Sequence, residues 1–154
     1  MKIIKDDAES LNSFEDESFE QIMVIDVFEH VINLNNAVEQ VIRKLKIGGR
    51  LVVSVPTYDY PKFFGEAFDK NIGHLRHFTL EQLKSLFETR GLRTEMIKPY
   101  TYFYTSKLCS VYYKYNLKIL NLILSPLLNM LSFFTEFIPK LPLTEIAAVF
   151  IKIH

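Results

Sequence analysis

At 154 residues the chain has room for one ordinary domain, not two separately cored ones. Hydrophobic residues make up 49% and charged residues 23%, which excludes a globally disordered chain. Eighteen basic residues balance eighteen acidic ones, unlike a general nucleic-acid binder, and a single cysteine, Cys109, excludes an intrachain disulfide or a cysteine-based zinc site.

Residues 1–5 read as a short strand or its remnant, with no apolar signal-peptide core around them. Residues 6–18 are acidic and polar and read as a loop. The apolar run Phe19–Ile25 is too short for a helix and predicts a buried strand, closed by Asp26. Asn33 is placed to cap a helix whose apolar positions are Ala37, Val38, Val41, Ile42 and Leu45. Arg43, Lys44 and Lys46 suit its negative C-terminal end, and Gly48-Gly49 is expected to stop it. Leu51–Val55 predicts a second buried strand, ended by Pro56. Residues 57–78 read as a long irregular segment. Thr79 and Gln82 form a capping-box pattern ahead of Leu80, Leu83, Leu86 and Phe87, with Gly91 beyond the helix end. Residues 92–98 predict a strand before Pro99, and Glu145–Lys152 a final one. The alternation of strands and helices is an α/β pattern with at least one parallel crossover.

The stretch DAESLNSFEDESFEQIMVIDVFEHV, the helix ending in RKLKIGGRLVVSVP, and HLRHFTLEQLKSLFETRGLRTE are in ordered register. Together they resemble the second half of a class I S-adenosylmethionine-dependent methyltransferase, of the type 11 or ubiquinone-biosynthesis O-methyltransferase-like branch. The resemblance covers roughly residues 6–98, with the last strand fitting the family's terminal hairpin strand. Ile47 stands where the family usually has proline. The family's opening strand, its GxGxG turn and the acidic residue that holds the ribose have no counterpart here. The resemblance thus implies a partial sheet with a parallel core and an antiparallel terminal strand. Residues 1–99 form its α/β core, 100–144 a hydrophobic helical insert and 145–154 the terminal strand of one incomplete domain, truncated relative to the family.

Site residues follow from the same register. Asp7 and Ala8 match the position that meets adenine, where an ionised carboxylate accepts from the amino group; the plain alternative is a solvated loop. Asp26 sits at a strand end, where open α/β sheets place ligands, and by resemblance is cofactor-adjacent. Glu29 and His30 follow one helical turn later. His30 is the candidate general base, because an imidazole is the side chain suited to taking a hydroxyl proton at physiological pH, with Glu29 beside it. By resemblance Asp26, Glu29 and His30 retain an acid–acid–His set thought to hold a divalent cation; the alternative is that Asp26 and Glu29 cap a short helix. His74 and His77, flanking Arg76, are placed over the acceptor. Their rivals are an HxxH metal pair and a surface loop. Tyr58, Asp59 and Tyr60 follow the second strand and line the same side.

The C-terminal third differs in composition. Residues 1–30 carry a balance of −7 and residues 101–154 one of +3. Six of the eight tyrosines lie between Tyr100 and Tyr115, and residues 119–135 are uncharged. That run is shorter than a membrane span and contains Pro126, so it reads as two short helices, a lid or a membrane-surface contact. Cys109 reads as a small apolar residue.

The function so implied is methyl transfer from S-adenosylmethionine to a small acceptor, hydrophobic or lipid-like, in the cytoplasm or peripheral at a membrane. The alternative is a non-catalytic methyltransferase fragment, or a partner-binding or membrane-surface module that needs a missing N-terminal half; a homo-oligomer or a complementing subunit is the partner then expected.

Overall fold

The computed structural model describes residues 3–100 and 143–154, together with Ile123, Pro126, Leu127, Met130, Leu131, Phe133 and Phe134. The insert expected over 100–144 otherwise lies outside the described residues, as does Cys109. Eight elements follow in order: β1 (Phe19–Ile25), α1 (Leu34–Lys44), β2 (Leu45–Pro56), α2 (Tyr60–Phe64), α3 (Glu66–Asn71), α4 (Leu80–Glu88), β3 (Leu92–Tyr100) and β4 (Glu145–Lys152). The strands form one mixed sheet in the order β1-β2-β4-β3. β1 and β2 are parallel, joined through α1, and β4 runs antiparallel to both of its neighbours. Residues 3–5 form no strand.

Local chemistry accounts for the helices. The Asn33 side chain accepts from the Asn36 amide at 3.1 Å, and Ala37, Val38 and Val41 turn the apolar face of α1 inward. Arg43 and Lys44, in its last turn, both pair with Asp16, at 2.7 and 2.8 Å. The helix does not run on to Gly48-Gly49. It ends at Lys44, because Leu45 is already extended and in register with Phe19 of β1. The glycines instead serve the start of β2. Gly48 has φ +78°, and a Cβ on Gly49 would meet the Lys46 carbonyl oxygen at 2.8 Å.

The capping box of α4 is complete: the Gln82 amide donates to Thr79 Oγ1 at 3.1 Å, and the Thr79 amide to Gln82 Oε1 at 2.9 Å. Thr79→Ala should cost about 1 kcal/mol of stability, read as a shift of the urea midpoint. An unchanged midpoint would mean the cap is dispensable. β3 continues through Pro99 to Tyr100, two residues further than its sequence predicts. It is an edge strand, where a residue without an N–H is tolerated.

Strand alternation divides the sheet into two faces. Val24, Val53, Ala148 and Ile97 lie in one row across it and pack into the core cluster of the described residues with α1 and α4. The neighbouring row, on the opposite face, is Met23, Val52, Val149 and Met96. Its outer members are 61% and 49% exposed, so this apolar face is open among the described residues.

Candidate functional site

The parallel strands β1 and β2 end on the same edge of the sheet, and the antiparallel β4 begins there. Asp26 follows β1 with φ +52°, a left-handed conformation that aspartate tolerates better than most residues. Its amide still donates to the Ser54 carbonyl, and its Oδ1 accepts from Ser54 Oγ at 3.0 Å. The Ser54 hydroxyl also lies 3.3 Å from the Tyr100 hydroxyl. The chain then makes a tight turn, closed by the His30 amide on the Val27 carbonyl, rather than a helix. Neither Asp26 nor Glu29 therefore caps one; Asn33 does.

That turn is held from three sides. Phe28 is fully buried, 6.0 Å from the Phe87 ring of α4. Arg76 donates to the carbonyls of Phe28, Val31 and Ile32. Glu9 Oε1 accepts from the amides of Ile32 and Asn33, at 2.8 and 3.0 Å. The last contact ties the loop of Asp7 and Ala8 to the turn that presents Glu29 and His30. Asp7 itself is exposed, its Oδ1 accepting from the Glu9 amide, and Ala8 is half-buried.

Glu29 is 0% exposed, and neither of its oxygens accepts a hydrogen bond among the described residues. Burial pushes its carboxyl up to about 7, with the nearby Asp26 carboxylate adding to the rise. His30 Nε2 lies 3.6 Å from Glu29 Oε1. His30 Nδ1 lies 3.1 Å from the Gly73 carbonyl, which can only accept, so Nδ1 carries the proton.

His74 and His77 are brought to the same place by α3 and the loop after it. His74 Nδ1 lies 2.7 Å, and His77 Nε2 3.0 Å, from Oδ1 of the buried Asp69. The His74 ring is 5.0 Å from His30 and 4.9 Å from Tyr60, centroid to centroid. Burial holds the His74 pKa below the usual imidazole value, against the opposing pull of Asp69. Burial, and then the carboxylates of Glu145 and Asp69, keep the Tyr60 phenol protonated well above the usual range. Glu145, at the start of β4, is pushed up to about 8 by burial and then by Asp26 and Glu29, and its Oε2 has no hydrogen-bond partner among the described residues.

The remaining two residues stand apart. Tyr58 is half exposed, packs 5.9 Å from His77, and lines two open clefts of about 280 and 240 Å³. Asp59 pairs with Lys62 at 2.8 Å on the surface beside the first cleft. Sequence reasoning missed Asp69, Glu145 and Glu9. Asp69 had a signal in its spacing, five and eight residues before the two histidines. Glu145 had none, because only the topology carries it here.

Among the described residues, two groups of three bring their ligand atoms within 4.8 Å of one another: Glu29–His30–His74 and Asp69–His74–His77. Asp26 belongs to neither. The array combines buried carboxyls, imidazoles and a protonated phenol, a set suited to holding a cation or accepting a proton.

Residues 3–96 match a family described as a methyltransferase domain. No curated protein matches the chain by sequence. By fold it is similar to the [4+2]-cyclase SpnF, at 15% identity and a TM-score of 0.61, covering 95% of this chain and 54% of that one. It is also similar to geranyl diphosphate C-methyltransferase from Streptomyces coelicolor, solved with Mg2+, geranyl diphosphate and S-adenosyl-L-homocysteine, at 10% identity and 0.62, covering 94% and 50%. A third likeness is to a chain in the complex of the Haloferax volcanii Trm112 methyltransferase activator with a methyltransferase, at 12% and 0.60, covering 97% and 60%. The chain thus spans about half to three fifths of the length of these three structures.

Proposed function

Because this chain belongs to the methyltransferase-domain family, we propose that it takes part in methyl transfer from S-adenosylmethionine to a small, apolar acceptor. The observation that carries the reading is the buried array around Glu29 and His30, set at the edge where the parallel strands end and inside the matched region. When bound, S-adenosylmethionine supplies an already activated methyl group, so the chain needs no nucleophile of its own; its task is alignment and exclusion of water.

The residues present fit part of that ligand. Asp7 and Ala8 would face the adenine: Asp7 is exposed and its loop is docked through Glu9 onto the turn of Glu29 and His30. Asp26, at the strand end, would lie beside the methionine portion. No glycine-rich turn occurs in these 154 residues, so the ribose contacts would come from outside them, as from a complementing subunit. His30, with its proton fixed on Nδ1, offers Nε2 to remove the acceptor's proton, and Glu29 lies beside that nitrogen. Tyr58, Tyr60, His74 and His77 form the wall on the acceptor side, and Asp59 stands at the mouth of the adjoining cleft. Of the cation set implied by resemblance, Glu29 and His30 bring ligand atoms together and Asp26 does not.

Calorimetric titration of the folded chain with S-adenosylhomocysteine tests it, alongside Asp7→Ala and Asp26→Ala. Saturable binding, weakened by both changes, is the expected result. No binding by a folded sample would end the enzyme reading for this polypeptide.

A second reading is a partner-binding half with no catalysis of its own. It is favoured by the apolar face of Met23, Val52, Val149 and Met96 and by the outer edge of β1, unpaired among the described residues. No described helix is long and apolar enough to cross a membrane. Contact with a membrane surface, and a peripheral rather than freely cytoplasmic location, would rest on the segment outside the described residues.

A further inference from the structure

We propose that Glu29, His30 and His74 form a binding site for a first-row transition-metal dication, with Asp69 as its positioning carboxylate. This departs from the set implied by resemblance, and it goes beyond the methyl-transfer reading without resting on it. Asp26 does not fit as a ligand. It is exposed, its carboxylate is engaged by Ser54, and it lies in neither cluster of converging ligand atoms. His74, 44 positions from His30, takes its place.

The protons decide which atoms are free. Nδ1 of His30 must donate, because the Gly73 carbonyl can only accept, and this leaves a lone pair on Nε2. Nδ1 of His74 donates to Asp69 Oδ1, leaving Nε2 of His74 as its ligand atom. A carboxylate or a carbonyl behind each ring is the arrangement that orients imidazoles toward a metal. Beside His30 sits Glu29, fully buried, with both oxygens unpartnered among the described residues. Such a carboxylate costs free energy unless something opposite it supplies charge. His30 Nε2 is already 3.6 Å from Glu29 Oε1. Two ligands at right angles or tetrahedral on an ion with bonds of about 2.1 Å lie roughly 3.0–3.4 Å apart, so a small side-chain rotation brings these two to coordinating distance, with the His74 ligand atom within 4.8 Å of both. His30 is part-exposed and gives the ion its way in.

The rival cluster, Asp69–His74–His77, leaves less unsatisfied. Both histidines already donate to Asp69, and no buried oxygen among its members stands unpartnered. Two imidazoles and one carboxylate leave coordination positions open and favour zinc, cobalt, manganese or iron over the all-oxygen preference of magnesium or calcium. A bound cation would occupy the Nε2 that otherwise serves as a base, so His30 holds either the ion or the proton.

The test is titration of the full chain with Co2+, after chelator treatment and its removal, followed by visible absorption and by calorimetry. The expected result is one equivalent of Co2+ with ligand-field bands, displaced by Zn2+. Glu29→Gln and His74→Gln should each weaken binding at least tenfold, and Asp69→Asn by about 10–100-fold. Asp26→Asn and His77→Gln should leave it within about threefold. Far-UV circular dichroism accompanies each variant; should His74→Gln fail to fold, Glu29→Gln and His30→Gln carry the test. The proposal is overturned if the folded parent shows no saturable binding. It is equally overturned if Asp26→Asn abolishes binding that His74→Gln retains, or if His77→Gln abolishes binding that Glu29→Gln retains. No S-adenosyl compound is present, so failure here leaves the methyl-transfer reading standing, and failure with S-adenosylhomocysteine leaves the cation site standing.

Discussion

At pH 9, urea denaturation in the presence of a chelator should show Glu145→Gln to be more stable than the parent chain, by on the order of 3 kcal/mol. At pH 5 the two should agree within about 1 kcal/mol. The Glu145 carboxyl is raised to about 8 in the folded chain, chiefly by burial and then by Asp26 and Glu29. Its unfolded value is the ordinary 4.5. The folded state therefore holds this proton more tightly than the unfolded state does. Its contribution is fully present below pH 4.5 and is lost as pH rises toward and through 8. Every tenfold difference in proton affinity between the two states is worth about 1.4 kcal/mol, and hydration of the ionised group at the sheet edge reduces the sum. Glutamine has the same shape and no charge to desolvate, so the variant should lack this loss. Parallel pH–stability curves would mean that Glu145 is ionised in the folded chain, and the picture of a crowded, partly neutral carboxyl cluster would fall.

Phe150→Ala should lower the unfolding free energy by about 3–5 kcal/mol, most of the margin of a small domain. Phe150 is fully buried on β4, its ring 4.6 Å from Phe87 of α4. Phe87 in turn meets Phe28, the residue before Glu29. One aromatic chain thus joins the central strand, the helix above it and the turn that presents the site. Truncation removes the transfer term of a phenyl ring and leaves a cavity that neither the sheet nor α4 can close. Phe150→Leu keeps most of the volume and should cost roughly half as much or less. A loss under about 1.5 kcal/mol for the alanine variant, read from equilibrium denaturation, would show that the core collapses around the gap.

Six of the eight elements are legible in the sequence because their signals are local. Short apolar runs mark β1 and β2, 3.6-residue periodicity marks α1 and α4, and Asn33 and Thr79 mark where those helices begin. Gly48-Gly49 misleads because two glycines after a basic turn carry the usual mark of a helix end, whereas here pairing of Leu45 with Phe19 ends the helix first. α2 and α3, of five and six residues, are too short to show a period. The placement of Asp26, Glu29 and His30 at a strand end is readable by the same logic. Which of them converge is not. That depends on the left-handed Asp26, which sends Glu29 into the interior, and on a loop more than 40 residues away that returns His74 to meet it. Asp69 and Glu145 join only because α3 folds back and because β4 starts at the edge where β1 stops.

β4 is the last of the described strands in the chain and an interior strand in the sheet, hydrogen-bonded to β2 on one side and β3 on the other. During synthesis, everything up to residue 144 is made before the piece that joins the two halves exists. Until then β2 and β3 each carry an open row of amides and carbonyls, and Phe87 faces an empty place. A nascent chain of this kind gains little from folding early and presents unpaired strand edges until β4 is in place.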